Sequence, residues 1–147
     1  MFGDKLVIAL EGARLAIETS YVAGIVEVDS MPFMPGRTGF VSGVISLRNE
    51  PVAVIDLKMA FSAWPAPTSG PHRVIVVRDK SALLGLDAGE ASISFFWAEE
   101  LKTCPFRKGS GYIKGEFDTD DGPLSLLDWK TLFEETSRIL RLEGTRV

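Results

Sequence analysis

The side chains that most often act as general base or nucleophile occur once each in this sequence, as His72 and Cys104. Hydrolytic or group-transfer chemistry needs such a group beside a second titratable residue and a place for the reacting atom. His72 borders a proline-rich run and reads as a solvated loop residue rather than a base. Cys104 precedes Pro105, has no histidine near it in sequence, and reads as a partly buried, inert thiol. An enzymatic reading rests on these two residues alone, so no catalytic set is expected.

Motifs for ligands are equally sparse. Gly109-Ser110-Gly111 lacks the further glycines and the strand-to-helix setting of a phosphate-binding loop. Asp118, Asp120 and Asp121 lack the spacing and the later bidentate glutamate of a calcium loop, and read as a solvated hairpin turn. A lone cysteine excludes an internal disulfide and a cysteine-based zinc framework. Neither metal nor cofactor is expected. Phe95-Phe96-Trp97 most readily packs into the core on one side and faces a rim or partner on the other. Their alternative use, lining a cleft between barrels, gives a competing reading of the chain as a small-ligand-binding β-barrel sensor or a diverged interaction module.

These residues must be positioned by a chain of 147 residues with 46% hydrophobic content, enough for one domain or two very small subdomains with a real core. The formal charge of −4 is spread rather than gathered into basic runs, which disfavours nucleic acid and anionic membrane as partners. The apolar stretch Leu6 to Leu10 stops at Glu11, too short for a signal core or a membrane span, so a cytoplasmic protein is expected.

Short apolar segments recur between turn signals: Leu6 to Leu10, Leu15 to Ile17, Val22 to Val28, Val44 to Leu47, Val52 to Leu57, Val74 to Arg78, Ala82 to Leu86, Tyr112 to Phe117 and Leu124 to Leu127. This is the rhythm of small β-barrels, with most neighbours joined as antiparallel hairpins. Glu11-Gly12-Ala13, Asn49-Glu50, Asp79-Lys80-Ser81 and Asp118 to Gly122 supply the turns. Trp64 to Pro71 stops both helix and ladder and reads as the connection between two packed units. Beyond Asp128, an apt N-cap, the residues Trp129, Leu132, Phe133, Ile139 and Leu140 share a helical face, and Arg138 and Arg141 suit a C-terminal end. The pattern predicts a helix near 129–142.

One supersecondary unit is used twice. "PVAVIDLKMAF" (Pro51 to Phe61) and "PLSLLDWKTLF" (Pro123 to Phe133) align without a gap and keep Pro, Asp, Lys and Phe. Each starts a strand on proline, whose missing N–H is cheapest at a strand's first residue, and turns into helix after Asp56 or Asp128. A glycine-led strand precedes each copy, Gly43-Val44-Ile45 and Gly111-Tyr112-Ile113. The pattern predicts a mainly β protein of two pseudo-symmetric barrels.

The run "FVSGVISLRNEPVAVIDLKMAF" (Phe40 to Phe61) resembles the central signature of the CheW-like chemotaxis coupling family: a Gly-Val strand, a Leu-Arg-Gly turn, a proline-led strand and Asp-Leu. "LAIETSYVAGIVEV" (Leu15 to Val28), "HRVIVVRDKSALLGL" (His72 to Leu86) and "GYIKGEFDTDDGPLSLLDWKTLF" (Gly111 to Phe133) are similar to its other stretches, the second of these to the hairpin that opens the second barrel. The resemblance implies two interleaved SH3-like five-stranded barrels around a shared core. It also implies a non-enzymatic adaptor between the cytoplasmic tip of a methyl-accepting chemotaxis receptor and the regulatory domain of a CheA-type histidine kinase. On the same ground Arg48, Asn49, Val22 and Ile25 are the expected partner-binding residues. Three positions depart from the family pattern: Asn49 replaces the turn glycine, Gly24 an acidic residue, and Ala88-Gly89-Glu90-Ala91 the second barrel's Val-Asp-x-Val.

Overall fold

The computed structural model describes residues 4–10, 13–29, 41–57, 60 and 72–144. The Trp64 to Pro71 connection, the Glu11-Gly12 turn, Lys58, Met59 and Phe61 of the first repeat copy, and the Arg141 side chain lie outside the described residues. Eleven strands run in chain order: β1 (Lys5–Leu10), β2 (Ala13–Glu18), β3 (Val22–Val28), β4 (Val41–Leu47), β5 (Glu50–Asp56), β6 (His72–Asp79), β7 (Ala82–Asp87), β8 (Ser92–Phe96), β9 (Phe106–Lys108), β10 (Ile113–Thr119) and β11 (Gly122–Leu127). The short helix α1 (Ala98–Leu101) follows β8, and α2 (Trp129–Gly144) follows β11. Each apolar segment read from the sequence falls on a strand, save Leu57 and Tyr112 at segment ends, because β-branched and aliphatic residues fill it and turn residues bound it.

The strands form two sheets, ordered β8-β1-β2-β11-β10-β9 and β3-β6-β7-β5-β4, giving two SH3-like units. One unit comprises Met1–Tyr21 with Ala91–Leu132, the other Val22–Glu90 with Phe133–Val147. Leaving β9 aside, the two orders correspond strand for strand. Each contains one parallel junction, β2 with β11 and β7 with β5, among antiparallel ones. Most neighbours are antiparallel, as the turn signals predict; the two exceptions arise because β5 and β11 each pair on their far side with a strand distant in sequence. The first sheet also exceeds five strands, because β9 adds to its edge beside β10.

The correspondence shows how the internal repeat is deployed. The first sequence copy gives the hairpin β1–β2 to one sheet and β3, β4 and β5 to the other; the second gives β6–β7 to the latter and β8, β10 and β11 to the former. The connection near 64–71 therefore joins two sequence copies and not two packed units, for the strands on either side of it, β5 and β6, share one sheet. The hairpin His72 to Leu86 belongs with β3, β4 and β5 and opens no second barrel.

Within the second sheet Ile45, Val52, Val54, Val74 and Val76 form a buried cluster, with Ala23, Val26, Val28, Leu47 and Leu83 packed on it. Each such aliphatic residue contributes about 1.5–3 kcal/mol on full burial. Gly85 of β7 fits because it has no side chain: a Cβ would sit 2.9 Å from Val74 Cγ1 and 3.0 Å from Val54 Cγ2. In the first sheet Val7, Ala16, Leu101 and Leu124 form the corresponding cluster, covered by Phe96, Cys104, Phe117 and Leu126.

α2 begins where Asp128 caps it: Oδ1 accepts the Thr131 N–H at 3.2 Å and Oδ2 the Thr131 hydroxyl at 2.9 Å. Trp129, Leu132 and Thr136 are buried at i, i+3 and i+7, a helical stripe. The Tyr21 ring meets Trp129 edge-on at 5.6 Å, and Lys130 Nζ lies 4.9 Å above Tyr21. Beyond Asp56, Leu57 and Ala60 are helical.

Candidate functional site

The hairpin β4–β5 closes in two residues, since Leu47 pairs with Glu50. Both residues of the turn, Arg48 and Asn49, have left-handed backbones, φ 51° and 68°. Hairpins of this length favour positive φ at both central positions because that twist matches the strands. Asn adopts this conformation readily, so Asn49 replaces the family glycine without loss of the turn. Arg48 does not: an ordinary L-residue in the left-handed region costs about 1–2 kcal/mol.

The Arg48 side chain is exposed and has no hydrogen-bond or ion-pair partner among the described residues. Its neighbour Glu50 is engaged elsewhere, accepting from Arg78 at 2.7 Å in an exposed pair. The chain thus holds a guanidinium at a hairpin tip, in a strained backbone, with its donors uncommitted. Such a group can make a bidentate contact with a carboxylate of another molecule.

β3, one edge of the same sheet, carries Val22 and Ile25. Ile25 is 44% exposed, on the face opposite Val26 and Val28, which pack on the core cluster. Val22 is half-buried beside a bulge at Val22/Gly24. A Cβ at Gly24 would meet nothing within 4 Å, so the acidic residue missing there leaves open space. β3 and β4 stand at opposite edges of the strand order, and no strand pairing brings Val22 or Ile25 beside Arg48. The partner-binding candidates therefore lie on two elements of this sheet, a cationic hairpin tip and an edge strand, and side chains of both β3 and β4 pack on the one core cluster.

His72 overturns its reading as a loop residue. It is the first residue of β6, 8% exposed, with Nδ1 2.7 Å from Asp87 Oδ2. Asp87 Oδ1 accepts the Gly89 N–H at 2.9 Å, and the Ala88 N–H donates to the Arg73 carbonyl at 2.9 Å. The pair thus fastens the corner after β7, where Gly89 has φ 59°. The other ring nitrogen is buried without a hydrogen-bond partner among the described residues. The period-two spacing of His72 from Val74 and Val76 was the available signal for its burial.

Cys104 is half-buried on the first cluster, its Sγ 3.7 Å from the Glu100 carbonyl. Phe96 packs on that cluster while Trp97 is 42% exposed at the start of α1. Asp120 and Asp121 form the tip of the β10–β11 hairpin, whose Thr119 hydroxyl and Gly122 carbonyl accept from Arg14 at 2.5 and 2.7 Å. This is a tied turn. Among the described residues no cluster of acidic, histidine and cysteine side chains is suited to a metal, and no helix is long and apolar enough to cross a membrane.

One family model, that of the CheW-like domain, matches residues 4–137 of the chain. The chain belongs to the CheW-like domain family. Among solved structures it is similar to the scaffolding protein TtCheW from Thermoanaerobacter tengcongensis, at 21% sequence identity and a TM-score of 0.66, over 86% of this chain and 89% of that one. No curated protein matches the chain. The family match runs through the segment 87–108 as well.

Proposed function

We propose that the chain is a non-enzymatic coupling adaptor in the cytoplasm, joining a methyl-accepting chemotaxis receptor tip to the regulatory domain of a CheA-type histidine kinase. The observation that carries this reading is the CheW-like match over residues 4–137. The geometry supports it: His72 is buried against Asp87, Cys104 packs on a core cluster, and the guanidinium of Arg48 has no partner among the described residues. An adaptor of this kind transmits receptor state through assembled contacts on a rigid body rather than through a covalent step.

In this reading Arg48 and Asn49 form a polar contact and Val22 and Ile25 an apolar one. Charge reversal, Arg48→Glu, is expected to weaken binding to one partner at least tenfold while leaving the thermal melt of the free chain within about 2 °C, because an exposed turn side chain carries no core packing. Binding is measured by titrating the purified chain with a kinase regulatory domain and, separately, with a receptor-tip fragment. A wild-type chain that binds neither fragment refutes the adaptor reading; unchanged affinity of Arg48→Glu for both refutes the placement of the site.

A further inference from the structure

β9 is the one strand of the first sheet without a counterpart in the second. It is three residues long, Phe106-Arg107-Lys108, and all three are exposed. Among the described residues it pairs with β10 on one side only, in the register Lys108 with Gly115, Arg107 with Glu116 and Phe106 with Phe117. The Asp118 N–H donates to the Pro105 carbonyl and the Gly109 N–H to the Lys114 carbonyl, at 2.9 and 2.8 Å. In an antiparallel ladder bonded and non-bonded positions alternate. The backbone of Arg107 therefore faces β10, and the N–H and C=O groups of Phe106 and Lys108 face outward.

That edge is held in place. The Phe106 ring leans on Phe117 at 4.8 Å and lies directly over Gly115, where any Cβ would collide with it. Phe106 nevertheless remains 52% exposed, the largest exposure of any large hydrophobic residue described. Arg107 is paired with Glu116 on the opposite face. Lys108 shares the face of Phe106, and neither it nor the neighbouring Lys114 has an ion-pair partner among the described residues. In a chain of net charge −4 this is a local reversal of sign.

We propose that the free edge of β9 docks an extended acidic segment of a partner protein, which joins the sheet as a further strand. An apolar residue of that segment covers Phe106, and a carboxylate two residues away meets Lys108. Two such residues share one face of a strand. Main-chain hydrogen bonds supply affinity and the alternate side chains supply selectivity, the general mode of strand addition. Short edge strands bearing lysine resist indiscriminate pairing; the same lysines admit a strand of opposite charge, so rejection and selection have one cause. The site lies on β9 and the coupling residues on β3 and β4, so either reading can fail alone.

The test uses the full chain, labelled with nitrogen-15, and a blocked nine-residue peptide, Val-Thr-Glu-Thr-Val-Thr-Glu-Thr-Val, which sets valine and glutamate two residues apart on one face. Saturable shifts are expected at the Phe106 and Lys108 amides, with slowed hydrogen exchange there. The same peptide N-methylated on alternate residues should bind at least tenfold more weakly, and a valine–lysine peptide should not bind. Lys108→Glu should lower affinity for the glutamate peptide at least fivefold, and Lys114→Glu should lower it less. The absence of saturable shifts at these amides up to millimolar peptide overturns the proposal, as does binding indifferent to N-methylation or to Lys108→Glu.

Discussion

Replacing Arg48 with asparagine should move stability and partner binding in opposite directions. Arg48 occupies a left-handed backbone, φ 51°, in a two-residue hairpin. That conformation costs an ordinary side chain about 1–2 kcal/mol, and asparagine a good deal less. Because Arg48 has no hydrogen-bond or ion-pair partner among the described residues, its removal forfeits no such bond among them, and Arg48→Asn should recover about 0.5–1 kcal/mol. For a domain of this size that is a rise in Tm of about 1–4 °C. Loss of an interfacial guanidinium should meanwhile weaken the coupled partner by about 10- to 100-fold, or roughly 1.4–2.7 kcal/mol. Arg48→Lys, which keeps the charge and the strain, should leave Tm unchanged and retain part of the binding. Calorimetry and titration against the two fragments decide both halves. A lowered Tm for Arg48→Asn refutes the strain argument, and a raised Tm with full affinity shows that the strain serves something other than the partner.

Gly85→Ala should destabilise the chain by about 1–3 kcal/mol through overpacking against Val74 and Val54; a companion Val74→Ala should recover part of the loss, and simple additivity in a denaturant melt would argue against the contact. His72→Leu should cost about 3 kcal/mol or more by leaving Asp87 buried without its ring partner, whereas the double change His72→Leu with Asp87→Asn should cost less than the single one. Glu135, held below the usual carboxylate range by its hydrogen bonds to Arg138, should return upward in Arg138→Gln when followed by carbon-13 NMR. Because the folded value is the depressed one, this pair's stabilisation is present above the unfolded pKa and is lost as the pH falls through the folded one. Asp128→Ala should cost about 1 kcal/mol by uncapping α2.

What could be read from the sequence was whatever is encoded over a few residues. Val22 to Val28 alternates and is a strand; Asp128 precedes a helical stripe and caps it; the Leu-Arg-Asn-Glu turn has the length that a residue such as Asn49 permits. β8 and β9 escaped notice for the opposite reason. Ser92–Phe96 has polar residues on its exposed face and ends in adjacent aromatics, and Phe106–Lys108 is too short and too exposed to show a period. His72 was misplaced because its neighbours in sequence are prolines and glycine while its neighbours in space are Asp87 and Gly89. Strand partners chosen across more than a hundred residues leave no local mark, so the parallel junctions and the exchange of strands between the two copies required the fold itself. Of the candidate site, the turn and its arginine were legible; that Glu50 is taken by Arg78 was not.

The exchange of strands also sets an order of assembly during synthesis. β1 and β2 leave the ribosome first, yet the strand that flanks β2 is β11, with Leu15 paired to Ser125 and Arg14 bonded to a hydroxyl 105 residues away. At about 5–20 residues per second, that opening hairpin waits roughly 5–20 s for its neighbour. The second sheet needs nothing beyond Asp87 to bring its five strands together, and can form in the interval. The earliest of the described strands are thus among the last to be completed, and during that wait the unpaired β2 edge is where nascent chains should be most prone to pair wrongly.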